Sequence, residues 1–585
     1  MIAYKRKKKL FHLQYSRKWI KSENTRAKQW PLYFYAIDKK RQERRNKILT
    51  IINSISLIGI NGYKVEVQVD VSNSMPTWEI VGLPGTSVRE AKERVKTAIK
   101  NSGYDLRSKR ILINLAPAEI KKEGSAFDLA IAIGILNNLE YIQNREIEKY
   151  AFIGELSLDG KINSISGILP MCIELKKIGI TKVILPKECA LEASIVKDID
   201  IYGINTLKEA VEFLNETIKI QKTETNLEKI LKKNKSNNID YSEVKGQREA
   251  KRALEISAAG GHNCLLIGSP GSGKTMLARR ITTILPDMNF EEALEVTKIH
   301  SIAGMTKENK LILERPFRNP HHTATKVALI GGGKEAKPGE ISLAHRGILF
   351  LDELPEFNKS SLEVLRLPLE DRQVLIARAN KNCEYPANFM LIASMNPCPC
   401  GYYGSSEKEC TCSSNDINRY LHKISGPLLD RIDIQVEVQS VDYTKMMNTG
   451  KEESSNEIKE RVNKARKIQE ERYKQYNIFS NAELSPKLIE EYCKVDEDSK
   501  KLLEIAFKKL NLSSRAYNRI LKVSRTIADL EGREHISKQD IAEAIQYRSL
   551  DKKYFWKRKS KNYNVNIKMH CKLIIIKVYG QPIKT

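Results

Sequence analysis

Gly268-Ser269-Pro270-Gly271-Ser272-Gly273-Lys274-Thr275 satisfies G-x-x-x-x-G-K-[ST] at every fixed position. The residues before it, Cys264-Leu265-Leu266-Ile267, have the composition of a buried strand, and residues 276–281 after it read as a helix. Glycines at 268, 271 and 273 let backbone N–H groups turn inward around phosphate oxygens, and a helix N-terminus adds partial positive charge. In such a turn Lys274 reaches the β- and γ-phosphates of ATP, and the Thr275 hydroxyl holds Mg²⁺. A chance glycine-rich turn would not be flanked by both a strand and a helix.

Working outward, Gly347-Ile348-Leu349-Phe350-Leu351-Asp352-Glu353 reads as a buried strand ending in two carboxylates, with Asp352 placed 78 residues after Lys274. Asp352 is expected to position Mg²⁺ and Glu353 to act as general base on the attacking water. Leu391-Ile392-Ala393-Ser394-Met395-Asn396 is a further strand with a polar end. Asn396 suits a sensor beside the γ-phosphate; the plain alternative is a strand-end cap. Residues 232–238, at the heart of a Lys-rich polar segment over 219–239, predict a linker or hinge entering this core.

The chain has 585 residues, 41% of them hydrophobic, and a net charge of +27. Such length allows about three or four domains. The charge is uneven: residues 1–49 hold 16 Lys/Arg against 3 Asp/Glu, residues 551–585 hold 10 against 1, and together these ends carry 22 of the 27 net charges. The excess therefore says little about the centre. The N-terminal arm is expected to be disordered. No apolar run approaches the ~20 residues of a membrane span, so a cytoplasmic location without membrane contact is expected.

Residues 50–218 predict an α+β domain with its own core: an alternating strand over 63–71, a helix over 87–101 with Val88, Ala91, Val95 and Ala98 on one face, a strand over 111–115, a buried helix over 125–136, and a late strand over 182–186. Gly154-Glu155-Leu156-Ser157-Leu158-Asp159-Gly160-Lys161-Ile162 and Val183-Ile184-Leu185-Pro186-Lys187 resemble the proteolytic domain of Lon proteases, which has a ribosomal S5-type fold. That family's Ser–Lys dyad falls here on Ala126 and Leu169. The resemblance therefore implies a Lon-like fold without proteolysis, used for docking or assembly.

Arg315-Pro316-Phe317-Arg318-Asn319-Pro320-His321-His322-Thr323 and Pro338-Gly339-Glu340-Ile341-Ser342-Leu343-Ala344-His345-Arg346-Gly347 are similar to magnesium-chelatase-type AAA+ proteins, and most of all to their bacterial ComM/YifB branch, over roughly residues 50–550. The resemblance implies an AAA+ P-loop core over 240–440, a helical lid over 441–550, a hexameric homo-oligomer, and ATP-driven branch migration of DNA. Gly426-Pro427-Leu428-Leu429-Asp430-Arg431-Ile432-Asp433 resembles the arginine-finger segment, which would carry Arg431 into a neighbouring subunit's site. An intrachain salt bridge to Asp430 or Asp433 is the rival account. Arg515 matches the lid arginine that senses the γ-phosphate, with Arg519 its rival one turn on. A β-hairpin over 370–386 would face a central pore, where Arg372, Arg378 and Lys381 could meet phosphates; a solvated hairpin explains it almost as well. His321 and His322 lack a third ligand and suit loop packing. Two other uses stay open: a protein-remodelling or chelatase-partner ATPase, and a Lon-like ATP-dependent protease.

Cys398-Pro399-Cys400 and Cys410-Thr411-Cys412 form C-x-C-x9-C-x-C. Four thiolates in one loop suit a tetrahedral structural Zn²⁺; the other reading is four reduced thiols shaping a turn. Helices over 456–473, 499–510, 514–530 and 537–547 complete a small bundle.

Overall fold

The computed structural model describes residues 49–106, 109–225, 239–306, 311–333, 335–378, 381–405, 408–440, 452–476, 478–510, 512–550 and 554–555. The basic N-terminal arm, residues 226–238 of the linker, residues 441–451 and nearly all of the basic C-terminal end lie outside them.

The first domain is a seven-stranded sheet: β1 (Leu49–Ile58), β2 (Asn61–Ser72), β3 (Trp78–Val81), β4 (Arg110–Ala116), β5 (Tyr150–Phe152), β6 (Lys182–Pro186) and β7 (Asp200–Ile204), in the order β3-β4-β2-β1-β5-β6-β7. The alternation of β2 does what its period requires: Val65, Val67 and Val69 are all fully buried. Helix Thr86–Asn101 turns Val88, Ala91, Val95 and Ala98 inward. The predicted helix at 125 starts three residues later, as Asp128–Asn138, because Ser125–Phe127 form a turn in which Ser125 Oγ donates to the Glu155 carboxylate.

Only two of the six strand pairings are antiparallel (β4 with β2 and β2 with β1); β3 pairs β4 in parallel, as β1, β5, β6 and β7 do in turn. The short strands β5 and β6 are almost wholly buried, so they carry no alternation that could reveal their direction. Nor is the domain's core wholly its own. One apolar cluster joins Ile55, Leu169, Cys172 and Leu185 to Ala293 and Val296 of helix Phe290–Ile302 in the next domain. Buried Glu192 seals this seam, accepting from Ser301 Oγ at 2.5 Å and Thr306 Oγ1 at 3.1 Å, while Gly167 N donates to Ser301 O at 3.0 Å.

The second domain holds β8 (Cys264–Gly268), β9 (Phe317–Arg318), β10 (Ile348–Leu351), β11 (Gln373–Arg378), β12 (Lys381–Pro386), β13 (Met390–Met395) and β14 (Ile434–Val438). Five of these form an all-parallel sheet in the order β9-β10-β13-β8-β14, while β11 and β12 form a separate hairpin. Helices cover both faces, which is why β8, β10 and β13 are buried along their whole length rather than at alternate residues.

Helices Ser455–Tyr473, Pro486–Tyr492, Glu497–Leu510, Ser514–Leu530 and Lys538–Gln546 form the C-terminal bundle. Capping boxes open the first (Ser454 with Glu457) and the last (Ser537 with Asp540). A single apolar cluster runs from Ile256, Leu266, Ile281 and Phe350 into Val462, Ala465, Ile520 and Ile527, so the bundle is packed on the core. No helix among the described residues is long and apolar enough to cross a membrane.

Candidate nucleotide site

Parallel strands all point the same way, so their C-terminal ends share one edge, and ligands of open parallel sheets bind there. Here that edge brings together the ends of β8, β10 and β13. After β8, Gly271 and Gly273 adopt left-handed φ angles of +77° and +88° and fold residues 268–274 into a turn opening onto helix Lys274–Ile284. A Cβ on Gly268 would lie 2.3 Å from Val438 O, so only glycine fits where the turn leaves the sheet. Ser272 Oγ is buried without a hydrogen-bond partner among the described residues.

Lys274 Nζ donates to Gly268 O (2.9 Å), Ser269 O (2.8 Å) and Asn396 Oδ1 (3.2 Å). Burial lowers the pKa of this ammonium, and the nearby carboxylates of Asp352 and Glu353 pull it back up. Thr275 Oγ1 donates to Asp352 Oδ2 at 2.9 Å, while Ser394 Oγ donates to Asp352 Oδ1. Residues 77 positions apart thus meet as a hydroxyl–carboxylate pair suited to a hard divalent cation. Glu353 follows with φ +53° and a 58% exposed side chain. Holding a glutamate in that left-handed conformation takes about 1 kcal/mol or more, and such strain gathers at functional sites. The cradle and the donor set fit a nucleoside triphosphate with Mg²⁺.

Some neighbours escaped the sequence reading. His322 Nδ1 lies 3.8 Å from Glu353 Oε2 and its ring packs on Phe357, so the histidine loop stands beside Glu353. Ser394, a hydroxyl inside an apolar strand, was the one available signal for the Asp352 clamp. Gln247 Nε2 donates to Ser272 O at 3.1 Å, tying the entry helix Arg248–Gly260 to the turn.

The two predicted arginines stand elsewhere. Arg431 O accepts from Asn263 Nδ2 at 2.9 Å, and Asn263 precedes β8. Arg431 is therefore at the edge of the sheet opposite its own P-loop, about 13 Å away along β8. Its side chain is 5% exposed: Nη2 pairs with Glu370 Oε2 (2.6 Å), Nε donates to Arg366 O (3.0 Å) and Nη1 to Pro427 O (2.6 Å). An intrachain ion pair exists, but its acid is Glu370, not Asp430 or Asp433. Arg515 lies on the same edge, 4.0 Å from Glu370 Oε1, and Arg519 pairs with Asp433. Neither overhangs the cradle of its own chain. A cleft of 470 Å³ opens at this edge between Arg315, Arg346, Arg372, Arg466 and Lys522. Burial pushes Lys522 down to about 8.

Arg372 is also committed, through Glu483 (2.6 Å) and Ala482 O (3.0 Å), and so is held against the bundle rather than presented on the hairpin. The side chains of Arg378 and Lys381 lie outside the described residues. The sulfurs of Cys398, Cys400, Cys410 and Cys412 lie within 4.8 Å of one another. Ala126 and Leu169 are both buried, and no Ser–Lys pair occupies their place.

Three family models match the chain in sequence: Subunit ChlI of Mg-chelatase over residues 67–189, Magnesium chelatase, subunit ChlI over 240–446, and Magnesium chelatase, subunit ChlI C-terminal over 452–548. Competence protein ComM of Haemophilus influenzae is 43% identical over 504 residues, which is 86% of this chain and 98% of that protein. YifB of Escherichia coli is 40% identical over 509 residues, again 86% and 98%. A magnesium-chelatase subunit ChlI homolog of Methanocaldococcus jannaschii is 23% identical over 52% of this chain and 83% of its own length.

Proposed function

The chain belongs to the magnesium-chelatase-like family of ComM and YifB, and from that premise we propose that it is an ATP-hydrolysing ring motor acting on DNA. The observation that carries the ATPase reading is the meeting of Thr275, Asp352 and Ser394 beside Lys274 and Asn396 at one sheet edge. Lys274 moves from the Gly268 and Ser269 carbonyls onto the β- and γ-phosphates. Thr275 and Asp352 would hold Mg²⁺, which would supply charge neutralisation to the phosphates. Asn396 orients the attacking water, and Glu353, backed by His322, accepts its proton. Arg431 and Arg515 act on the triphosphate of the adjoining copy, since both sit opposite their own cradle. The working state is then a closed homo-oligomer, a hexamer by family resemblance.

The first domain serves docking; its Lon-like fold is part of this proposal, and with Ala126 and Leu169 at the dyad positions it does not cut peptides. Zn²⁺ in the Cys398, Cys400, Cys410 and Cys412 cluster belongs to the same reading, as does a cytoplasmic location. DNA is the substrate that the ComM/YifB resemblance implies, and the ComM relative is 43% identical over 86% of this chain. The test is the ATPase rate of the assembled ring with single-stranded, duplex and branched DNA. Stimulation by DNA, strongest with branched molecules, is expected. A rate indifferent to all three removes the DNA motor and favours a chelatase-partner or protein-remodelling ATPase.

A further inference from the structure

The cysteine loop is built onto the P-loop. Gly401 has φ +86°, and a Cβ placed on it would lie 2.4 Å from Pro270 Cδ and 2.6 Å from Cγ. The loop backbone therefore rests on the proline ring of the phosphate turn with no room for a methyl group. At its root, Cys398 follows Asn396 by two residues, and Asn396 touches the Lys274 ammonium. Cys398 is fully buried in the apolar cluster that contains Ile267, the residue leading into the turn. The loop thus meets the nucleotide cradle at two points, Pro270 and Lys274.

The sulfurs are spaced for a metal. Cys398–Cys400, Cys398–Cys410 and Cys400–Cys410 separations are 3.3, 3.6 and 3.5 Å. A tetrahedron with Zn–S bonds of about 2.3 Å has S···S edges of about 3.8 Å, whereas a disulfide has about 2.05 Å. Cys400 N and Tyr403 N each donate to a sulfur of the cluster at 3.3 Å, fixing the ligands from the outside. The chain between the two pairs, Gly401-Tyr402-Tyr403-Gly404-Ser405-Ser406-Glu407-Lys408-Glu409, has little apolar content beyond its tyrosines.

We propose that zinc held by Cys398, Cys400, Cys410 and Cys412 braces the phosphate-binding turn, so that metal occupancy sets nucleotide affinity. This rests on residues 268–275 being a nucleotide cradle. Zinc has no redox chemistry of its own and all four positions are cysteines, the donor set of a closed structural site, so the ion takes no part in hydrolysis.

The test uses the full-length ring. Elemental analysis is expected to give one zinc per chain, and a fluorescent ATP analogue reports nucleotide affinity. Removing zinc with a chelator should weaken binding about tenfold to a hundredfold, the scale of a misplaced site, and adding zinc back should restore it. Gly401→Ala keeps all four ligands, so it should retain zinc yet weaken binding, because its methyl group displaces Pro270; Pro270→Ala in the same chain should recover part of the loss. This pair decides the matter even where the zinc-free protein unfolds. Wild-type protein without zinc, affinity unchanged on zinc removal, or Gly401→Ala binding like wild type would each overturn the brace. Zinc-loaded wild type that binds no nucleotide would instead bring down the cradle itself, a result separable from the other three.

Discussion

Replacing Arg431 with alanine separates a positive charge used by a neighbour from one that only holds its own chain together. The guanidinium donates to two carbonyls and pairs with Glu370. Removing one partner of a buried pair costs about 3–5 kcal/mol. Glu370 is 39% exposed and has Arg515 within 4.0 Å, which places the loss near the lower end. The variant should therefore fold with a reduced melting temperature. Since Arg431 lies at the edge opposite its own P-loop, the variant's nucleotide affinity should be unchanged while turnover falls by about a thousandfold. Mixing supplies the sharper assay. In rings made from equal amounts of Arg431→Ala and Lys274→Ala chains, a site is complete where an intact cradle meets an intact arginine from the adjoining copy. Random assembly makes about one interface in four complete, so about a quarter of wild-type turnover should return. An arginine acting within its own chain returns none. Mixed rings that stay inactive, or an Arg431→Ala chain that no longer binds nucleotide, would refute the geometric reasoning.

Lys274→Ala should weaken ATP binding by about two orders of magnitude or more, because charge-assisted contacts to phosphate vanish; its fold should survive, since its contacts within the chain are two turn carbonyls and Asn396. Circular dichroism and nucleotide titration check both halves. Glu353→Gly should raise the melting temperature, since glycine accepts φ +53° without strain, and should lower turnover by about a hundredfold or more. Burial raises the pKa of Glu192 at the seam between the domains. A carboxyl whose pKa is higher folded than unfolded binds its proton more tightly in the fold, so stability falls as the pH rises from the unfolded value of about 4.3 through the folded one. Glu192→Gln should remove that slope from melting curves recorded across this range.

The first domain shows what a local pattern conveys and what it hides. Val65, Val67 and Val69 announce a half-buried strand because the side-chain period of a strand is two. Strands β5 and β6, buried on both faces, show no period, so their parallel pairing was hidden. The seam through Glu192 was hidden for another reason: a carboxylate in a helix reads as solvent-facing until its partners, here Ser301 and Thr306 from another domain, are known.

The site divides along the same line. Residues 268–275, Asp352, Glu353 and Asn396 were legible because each lies at the C-terminal end of an apolar run, and parallel strands carry all such ends to one edge whatever the rest of the chain does. Sequence alone therefore determined that residues 268–275, Asp352 and Asn396 would meet at one sheet edge. Tertiary structure decided three further things: that Arg431 and Arg515 stand opposite their own cradle beside Glu370, that His322 faces Glu353, and that Gly401 lies on Pro270. Each is a contact between segments whose separation along the chain carries no information about distance. Such contacts depend on which helix covers which face of the sheet, and only the packed fold settles that.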